Sequence, residues 1–109
     1  NDTQNIVSRA APPENQLIIE EPELVIKVMH KKKQAILKEI FHRALTIQDI
    51  KKQTKINPGT IKRHLDDLIE HDLVYVEYEE KNDYNILMKH YRAKAKKFII
   101  NFVLPDDVT

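Results

Sequence analysis

A small α+β domain, helices first and a β-hairpin after them, is what this sequence predicts, and three observations carry that prediction. Apolar residues recur at helical spacing from Leu24 to Ile69. The period then switches to two over residues 73–79. The single glycine of the chain stands in "INPG", directly ahead of an amphipathic run that also carries Lys62 and Arg63. The expected architecture is a three-helix core followed by a hairpin wing, a winged helix–turn–helix, with an extra N-terminal helix and a C-terminal strand.

The elements follow in order. Residues 1–21 are polar, contain Pro12 and Pro13 and show no period, so they read as an N-terminal arm or linker. The domain proper spans 22–104. Pro22 suits the first position of a helix over 22–29, with Glu21 and Glu23 near its positive end and Leu24, Val25 and Val28 on one side. A second helix over 31–43 carries the stripe Ile36, Leu37, Ile40 and Phe41. Thr46 and Asp49 have the spacing of a capping box for a helix over 47–53, with Ile47 and Ile50 inward. A tight turn, Thr54-Lys55-Ile56, leads to Asn57 as N-cap and Pro58 as first helical residue. The helix over 58–70 presents Ile61, Leu65, Leu68 and Ile69 to the core. Residues 73–79 and 84–91 are the wing strands, 80–83 their turn, 92–97 a basic connection and 98–104 a last apolar run. Residues 105–109 form a tail.

Composition narrows the classes. A chain of 109 residues has room for one core. With no cysteine, disulfides and thiolate metal sites are excluded. No apolar stretch approaches the roughly 18–20 residues that span a bilayer, and no signal peptide is visible, so a cytoplasmic location is expected. The missing initiator Met fits a processed chain or a piece of something longer. The net charge of +1 hides a bipolar distribution. Residues 30–63 hold ten basic and two acidic side chains, whereas residues 64–83 hold one basic and eight acidic ones. Such a basic block is what a polyanion would use.

The segments Ile36-Leu37, "LTIQDI", "INPGTIKRHLDDL" and "HDLVYVE" resemble the ArsR-type winged-helix transcriptional regulators. Members typically show a Lys/Arg-rich first helix ending in Ile-Leu, a short helix, and a Ser/Thr-rich helix start. "HL" with a further Leu follows, then "GLV" opening the wing. Here Asp72 replaces that glycine, and Asn57-Pro58-Gly59-Thr60 occupies the Ser/Thr-rich start. The resemblance covers about 19–104 and implies a DNA-binding regulator that usually works as a homodimer.

The residues themselves point the same way. In a helix–turn–helix the N-terminal part of the second helix enters the major groove of double-stranded DNA. Gly59 has no Cβ, so the backbone there can approach a phosphate or base edge. Thr60, Lys62 and Arg63 are on the face opposite the apolar stripe. Arg63 is the candidate base reader, because a guanidinium bonds guanine at two points. Lys51, Lys55 and Lys62 suit phosphates, and Asn57 lies at the same helix mouth. Asp66, Asp67 and Glu70 fill the far half, so the helix must approach tip-first. The wing holds four acids from Glu77 to Asp83 against Lys81, which leaves only Lys81 and Asn82 as weak DNA candidates. "HKKKQ", residues 30–34, puts three lysines at a helix start, where the dipole disfavours them. A phosphate contact and a solvated patch both stay open there.

Five histidines invite a metal hypothesis, and His64, Asp67 and His71 could share a helix face, but they do not complete a ligand set within one chain. No metal or other cofactor is expected. No nucleophile–base motif or phosphate loop is present, so the protein reads as a non-enzyme. Leu24, Val25 and Val28 at one end, and Phe98, Ile100, Phe102 and Leu104 at the other, exceed what one small core can cover, which predicts a homodimer seam. They could instead fold back onto the monomer's own core. Two rival readings remain: a winged-helix module whose acidic block 64–83 engages a basic protein partner, and a subunit fragment of a larger transcription or replication complex.

Overall fold

A computed structural model describes residues 5–101. Its elements run β1 (Ile6–Arg9), β2 (Leu17–Ile19), α1 (Pro22–Met29), α2 (Lys31–Ile40), α3 (Ile47–Thr54), α4 (Pro58–Glu70), β3 (Val74–Lys81), β4 (Leu87–Ala93) and β5 (Phe98–Ile100). The fold is α+β, a winged helix–turn–helix built on α2, α3 and α4 with β3 and β4 as the wing. Ile36, Ile40, Ile50, Ile61, Leu65 and Leu68 are completely buried where these three helices meet. Helical spacing marked these residues as inward, but Ile69, expected beside them on α4, is exposed. Leu45, between α2 and α3, exchanges backbone hydrogen bonds with Tyr91 of β4 (3.0 and 2.8 Å), which fastens the wing to the helices.

The largest difference from expectation lies in residues 1–21. Far from being a bare arm, this stretch adds two strands. β1 pairs antiparallel with β3, giving a three-stranded sheet of order β1-β3-β4. β2 pairs in parallel with β5, Leu17 opposite Phe98 and Ile19 opposite Ile100. Neither strand is long enough to reveal a period. β1 is held by the backbone ladder and by polar contacts: Ser8 Oγ donates to Glu79 at 3.0 Å, and the Arg9 guanidinium lies 4.9 Å from the Tyr78 ring centre. Its partner is some seventy residues away, and local composition cannot report it.

Smaller differences have local causes. The wing turn comes later than 80–83, because the Asn82 side-chain oxygen accepts from the N–H groups of Tyr84 (2.9 Å) and Ile86 (3.0 Å) and Asn85 adopts a left-handed conformation (φ 63°). The returning strand therefore starts at Leu87, and Tyr84 and Ile86 are left exposed. α2 ends at Ile40, and Phe41 turns its ring edge-on to Phe98, 4.9 Å between centres. Asp72 also has a positive φ of 59°, which explains why a glycine would suit that place. Of the last apolar run, Phe102 and Leu104 lie outside the described residues.

One carboxylate ties the helices together. Asp67 on α4 accepts from Lys27 of α1 (3.2 Å) and pairs with Lys33 of α2 (3.1 Å). Lys33 is buried, so one of the three lysines at the start of α2 spends its charge inside the molecule. Burial pushes the Asp67 carboxyl up, but hydrogen bonds from Lys33 and Lys27 outweigh it and hold the group below the usual carboxylate range. A depressed carboxyl contributes stability above its unfolded pKa and loses it as pH falls through the folded value. Asp67→Ala should therefore cost about 1–3 kcal/mol at neutral pH, because it strands Lys33. Lys33→Met, which removes the buried charge and keeps the packing, should cost less. Denaturant unfolding at neutral and acid pH measures both, and the Asp67→Ala deficit should shrink in acid.

Candidate nucleic-acid interface

The turn between α3 and α4 is defined by three caps. Thr46 and Asp49 form the reciprocal capping box that opens α3, at 3.2 and 3.1 Å. Lys55 closes α3 in the left-handed region at φ 64°, with its N–H bonded to the Lys51 carbonyl at 2.8 Å. Glycine or asparagine is the default at such a C-cap, so a lysine there costs about 1 kcal/mol. Asn57 then opens α4: its side-chain oxygen accepts from the Gly59 N–H at 2.8 Å. The turn is short because each end is satisfied by a residue within it.

These bonds give Gly59 a reason that the sequence did not show. It is in ordinary helical conformation, and a Cβ built on it would meet Asn57 Oδ1 at 3.1 Å. A side chain at that point would crowd the cap. An open backbone for a polyanion is a consequence of the cap, and the two explanations are compatible.

The face of α4 turned away from the core shows Gly59, Lys62 and Arg63 exposed, with Thr60 half-covered. Lys51 and Lys55 are exposed on the preceding helix and turn, as are Lys52 and Asn57. Seven of the nine candidates thus belong to one continuous helix–turn–helix. Lys62 is engaged there: its ammonium bonds both carboxylate oxygens of Asp66 (2.8 and 2.7 Å), and that hydrogen bond raises its pKa. No ion pair of Arg63 occurs among the described residues. Lys81 and Asn82 lie apart, at the wing end. Lys81 is exposed, while the Asn82 oxygen is committed to the turn.

A groove of about 360 Å³ separates α4 from the wing. Ile47, Leu87, Met88 and Tyr91 form much of its floor, with Gln48, Lys62 and Lys89 among the polar residues that line it. Gln48 and Lys89 were not singled out in the sequence. Lys89 shares its strand with His90 and Arg92, and only the return of β4 brings it toward Lys62. The acids of the wing are less repellent than their number suggests. Glu77 bonds Arg92 (3.1 Å), Glu80 bonds His90 Nε2 (2.6 Å) and Glu79 accepts from Ser8.

The candidate metal residues do not converge. His64 packs against His30, Asp67 is taken by two lysines, and His71 Nδ1 approaches the Asp67 backbone oxygen at 2.9 Å. Among the described residues no cluster of three ligating side chains occurs. No helix among them is long and apolar enough to cross a membrane.

The fold defines a winged helix–turn–helix, a class whose second helix commonly enters the major groove of DNA. Residues 30–76 match the family model described as bacterial regulatory protein, ArsR family, and the matched segment is the helix–turn–helix with the start of the wing. The match begins at the N-cap of α2 and ends in the first wing strand. A search of curated proteins finds no match to the chain. The family is one of transcriptional regulators, and its domain serves to bind DNA.

The cap and the glycine should behave as a coupled pair. Asn57→Ala should cost about 1 kcal/mol. Gly59→Ala should change stability little while Asn57 is present, because helix propensity is offset by crowding at the cap. In the Asn57→Ala background the same substitution should stabilise by about 0.5–1 kcal/mol. Urea unfolding of the four proteins in the cycle measures the coupling, and simple additivity would contradict the account.

Proposed function

We propose that the protein is a sequence-specific, double-stranded-DNA-binding transcriptional regulator that inserts the N-terminal half of α4 into the major groove and acts as a homodimer in the cytoplasm. The observation that carries this reading is the exposed ridge Gly59, Thr60, Lys62 and Arg63 continuing into Lys51 and Lys55 across the capped turn. It puts base-reading and phosphate-binding side chains on one convex edge. Arg63 reads a base, while Lys51, Lys55 and Lys62 meet phosphates, and Asn57 lies beside them at the helix mouth. At the wing, Lys81 and the amide end of Asn82 are auxiliary contacts.

Dimerisation uses apolar groups that the monomer leaves uncovered, and apart from Ile100 they differ from those expected. Val28 is buried, and Leu24, Val25 and Phe98 pack against the core. What stays exposed is Ile26 and Met29 on α1, Ile18 on β2, and Ile99 and Ile100 on β5. The seam we propose is this second set, burying α1 and the two-stranded sheet against a two-fold partner.

Arg63→Ala should weaken binding to the preferred duplex by about 1–3 kcal/mol and relax preference at one position. Lys55→Gly should do something different: raise stability by about 1 kcal/mol through relief of the left-handed cap, and weaken all duplexes alike. Binding titrations on matched and mismatched duplexes, with unfolding curves alongside, separate the two. Equal losses on both duplexes for Arg63→Ala would refute base reading.

The chain should sediment as a dimer, and Ile26→Glu should give a folded monomer, since Ile26 is 72% exposed and contributes little to the core. A wild-type monomer at micromolar concentration would reject the seam.

A further inference from the structure

The groove between α4 and the wing contains a polar group that the ridge on α4 does not use. Tyr91 of β4 is only 3% exposed and lines this groove. Its hydroxyl makes no hydrogen bond among the described residues, where the side-chain bonds of β4 are those of His90 and Arg92. Nor is it one of the fully buried atoms without a partner, which are His90 Nδ1 and Arg92 Nε. The hydroxyl therefore still meets solvent, through the groove that its own side chain lines. Burial pushes it above the usual phenol range, and the charges acting on it after burial are those of Lys62, Asp66 and Glu79. At neutral pH it is a protonated donor for which the described residues supply no acceptor.

The walls around that donor are apolar. Ile47 of α3 and Met88 of β4 are half-buried there, and Ile86 and Leu87, both exposed, carry the apolar surface out toward the wing tip. A space of about 360 Å³ is of the size that takes a small molecule.

Charge decides which kind. Lys62 and Lys89 both line the groove. Lys62 is held by Asp66, so that pair adds no net charge. Lys89 is exposed, and among the described residues it forms no ion pair. Glu79 stands opposite Lys89 in the β3–β4 ladder, but its carboxylate accepts from Ser8 at 3.0 Å. Lys89 and Tyr91 are two residues apart on one strand and so project from the same face. The groove thus offers an apolar body, one unpaired ammonium and one hydroxyl donor. A neutral molecule would leave the ammonium unused, and the second charge of a dianion would meet Asp66 and Glu79.

We propose that this groove is a binding site for a small amphipathic monocarboxylate, whose aryl or branched alkyl body lies on Ile47, Leu87 and Met88 while its carboxylate accepts from the Tyr91 hydroxyl and meets the Lys89 ammonium. Lys62, on the α4 wall, is the group that ligand and DNA share. A carboxylate seated beside it puts negative charge next to the ridge and opposes a duplex. For that competition, though not for the ligand chemistry, the proposal rests on the DNA-binding reading.

Methyl proton–carbon NMR on the whole chain tests the site, with phenylacetate and 3-methylbutanoate as probes and their neutral amides as controls, at pH 7 and constant ionic strength. The acids should move the methyl signals of Ile47, Leu87 and Met88 saturably and leave those of Ile36 and Leu65 in place. The amides should bind at least about threefold more weakly, the scale of one exposed charge contact. Lys89→Gln should weaken the acids by a similar factor and leave the amides unchanged. Tyr91→Phe, which keeps the packing of the ring, should weaken both acids and amides, since both accept from the hydroxyl. Amides that bind as well as the acids overturn the proposal, and so does acid binding that survives either substitution. Methyl signals that show no saturable movement up to about 10 mM, a range set by the small size of the probes, overturn it as well. A bound duplex should weaken the acids, and indifference of duplex and acid to each other would refute the shared use of Lys62. Saturable acid binding with no duplex bound at all keeps the ligand site and sinks the DNA reading instead.

Discussion

The ion triad of Lys27, Asp67 and Lys33 is the constraint on which the arrangement of the helices rests. Hydrophobic burial brings α2, α3 and α4 together, but it has no direction of its own. The two lysines converging on Asp67 fix where α1 and the start of α2 lie along α4. A buried lysine cannot be left alone, so any packing that separated Lys33 from Asp67 would carry the full cost of desolvating an unpaired charge. The pair thereby discriminates against other ways of docking the same apolar stripes. It also brings the His30 ring against that of His64.

The same logic changes the meaning of the acidic block. Counted along the chain, residues 64–83 look like a surface for a basic partner. In three dimensions most of those acids meet cations: Asp66 meets Lys62, Asp67 meets Lys27 and Lys33, Asp72 meets Lys94 and Glu77 meets Arg92. Glu80 is held by His90. Four of the cations come from outside the basic stretch that a DNA backbone would meet, or from its buried side. The acidic block is therefore largely spent internally. This disfavours the reading in which it recruits a basic protein, and it leaves the exposed lysines of α3 and the turn as the unbalanced charge.

What was legible in the sequence was whatever a local rule could express. Asn57-Pro58, Thr46 with Asp49, and the stripe Ile61, Leu65 and Leu68 each state their structure within one or two helical turns, and the helices begin where those residues place them. The strands β1 and β2 were not legible, since backbone pairing to residues far along the chain creates them. The candidate site divided along the same line. Residues on one helix face, Thr60, Lys62 and Arg63, could be read from spacing. The roles of Lys33 and Asn82, and the approach of Lys89 to Lys62, depend on partners that only the fold supplies.

Lys62 shows how the two kinds of information combine. By spacing it belongs with Arg63 as a contact to DNA, and by structure its ammonium already holds both oxygens of Asp66. An exposed pair of this kind is weak, so a phosphate can compete for the lysine. Success would release Asp66 beside a polyanion, however, and that repulsion subtracts from the gain. If the pair persists instead, Lys62 brings little net charge to the interface. Either way Lys62 contributes less than its position implies. Arg63, without such a partner among the described residues, keeps its full charge and its two-pronged geometry for a base. On the proposed DNA-binding reading, the acid one turn further along α4 shifts recognition from the lysine to the arginine and confines contact to the first turns of the helix.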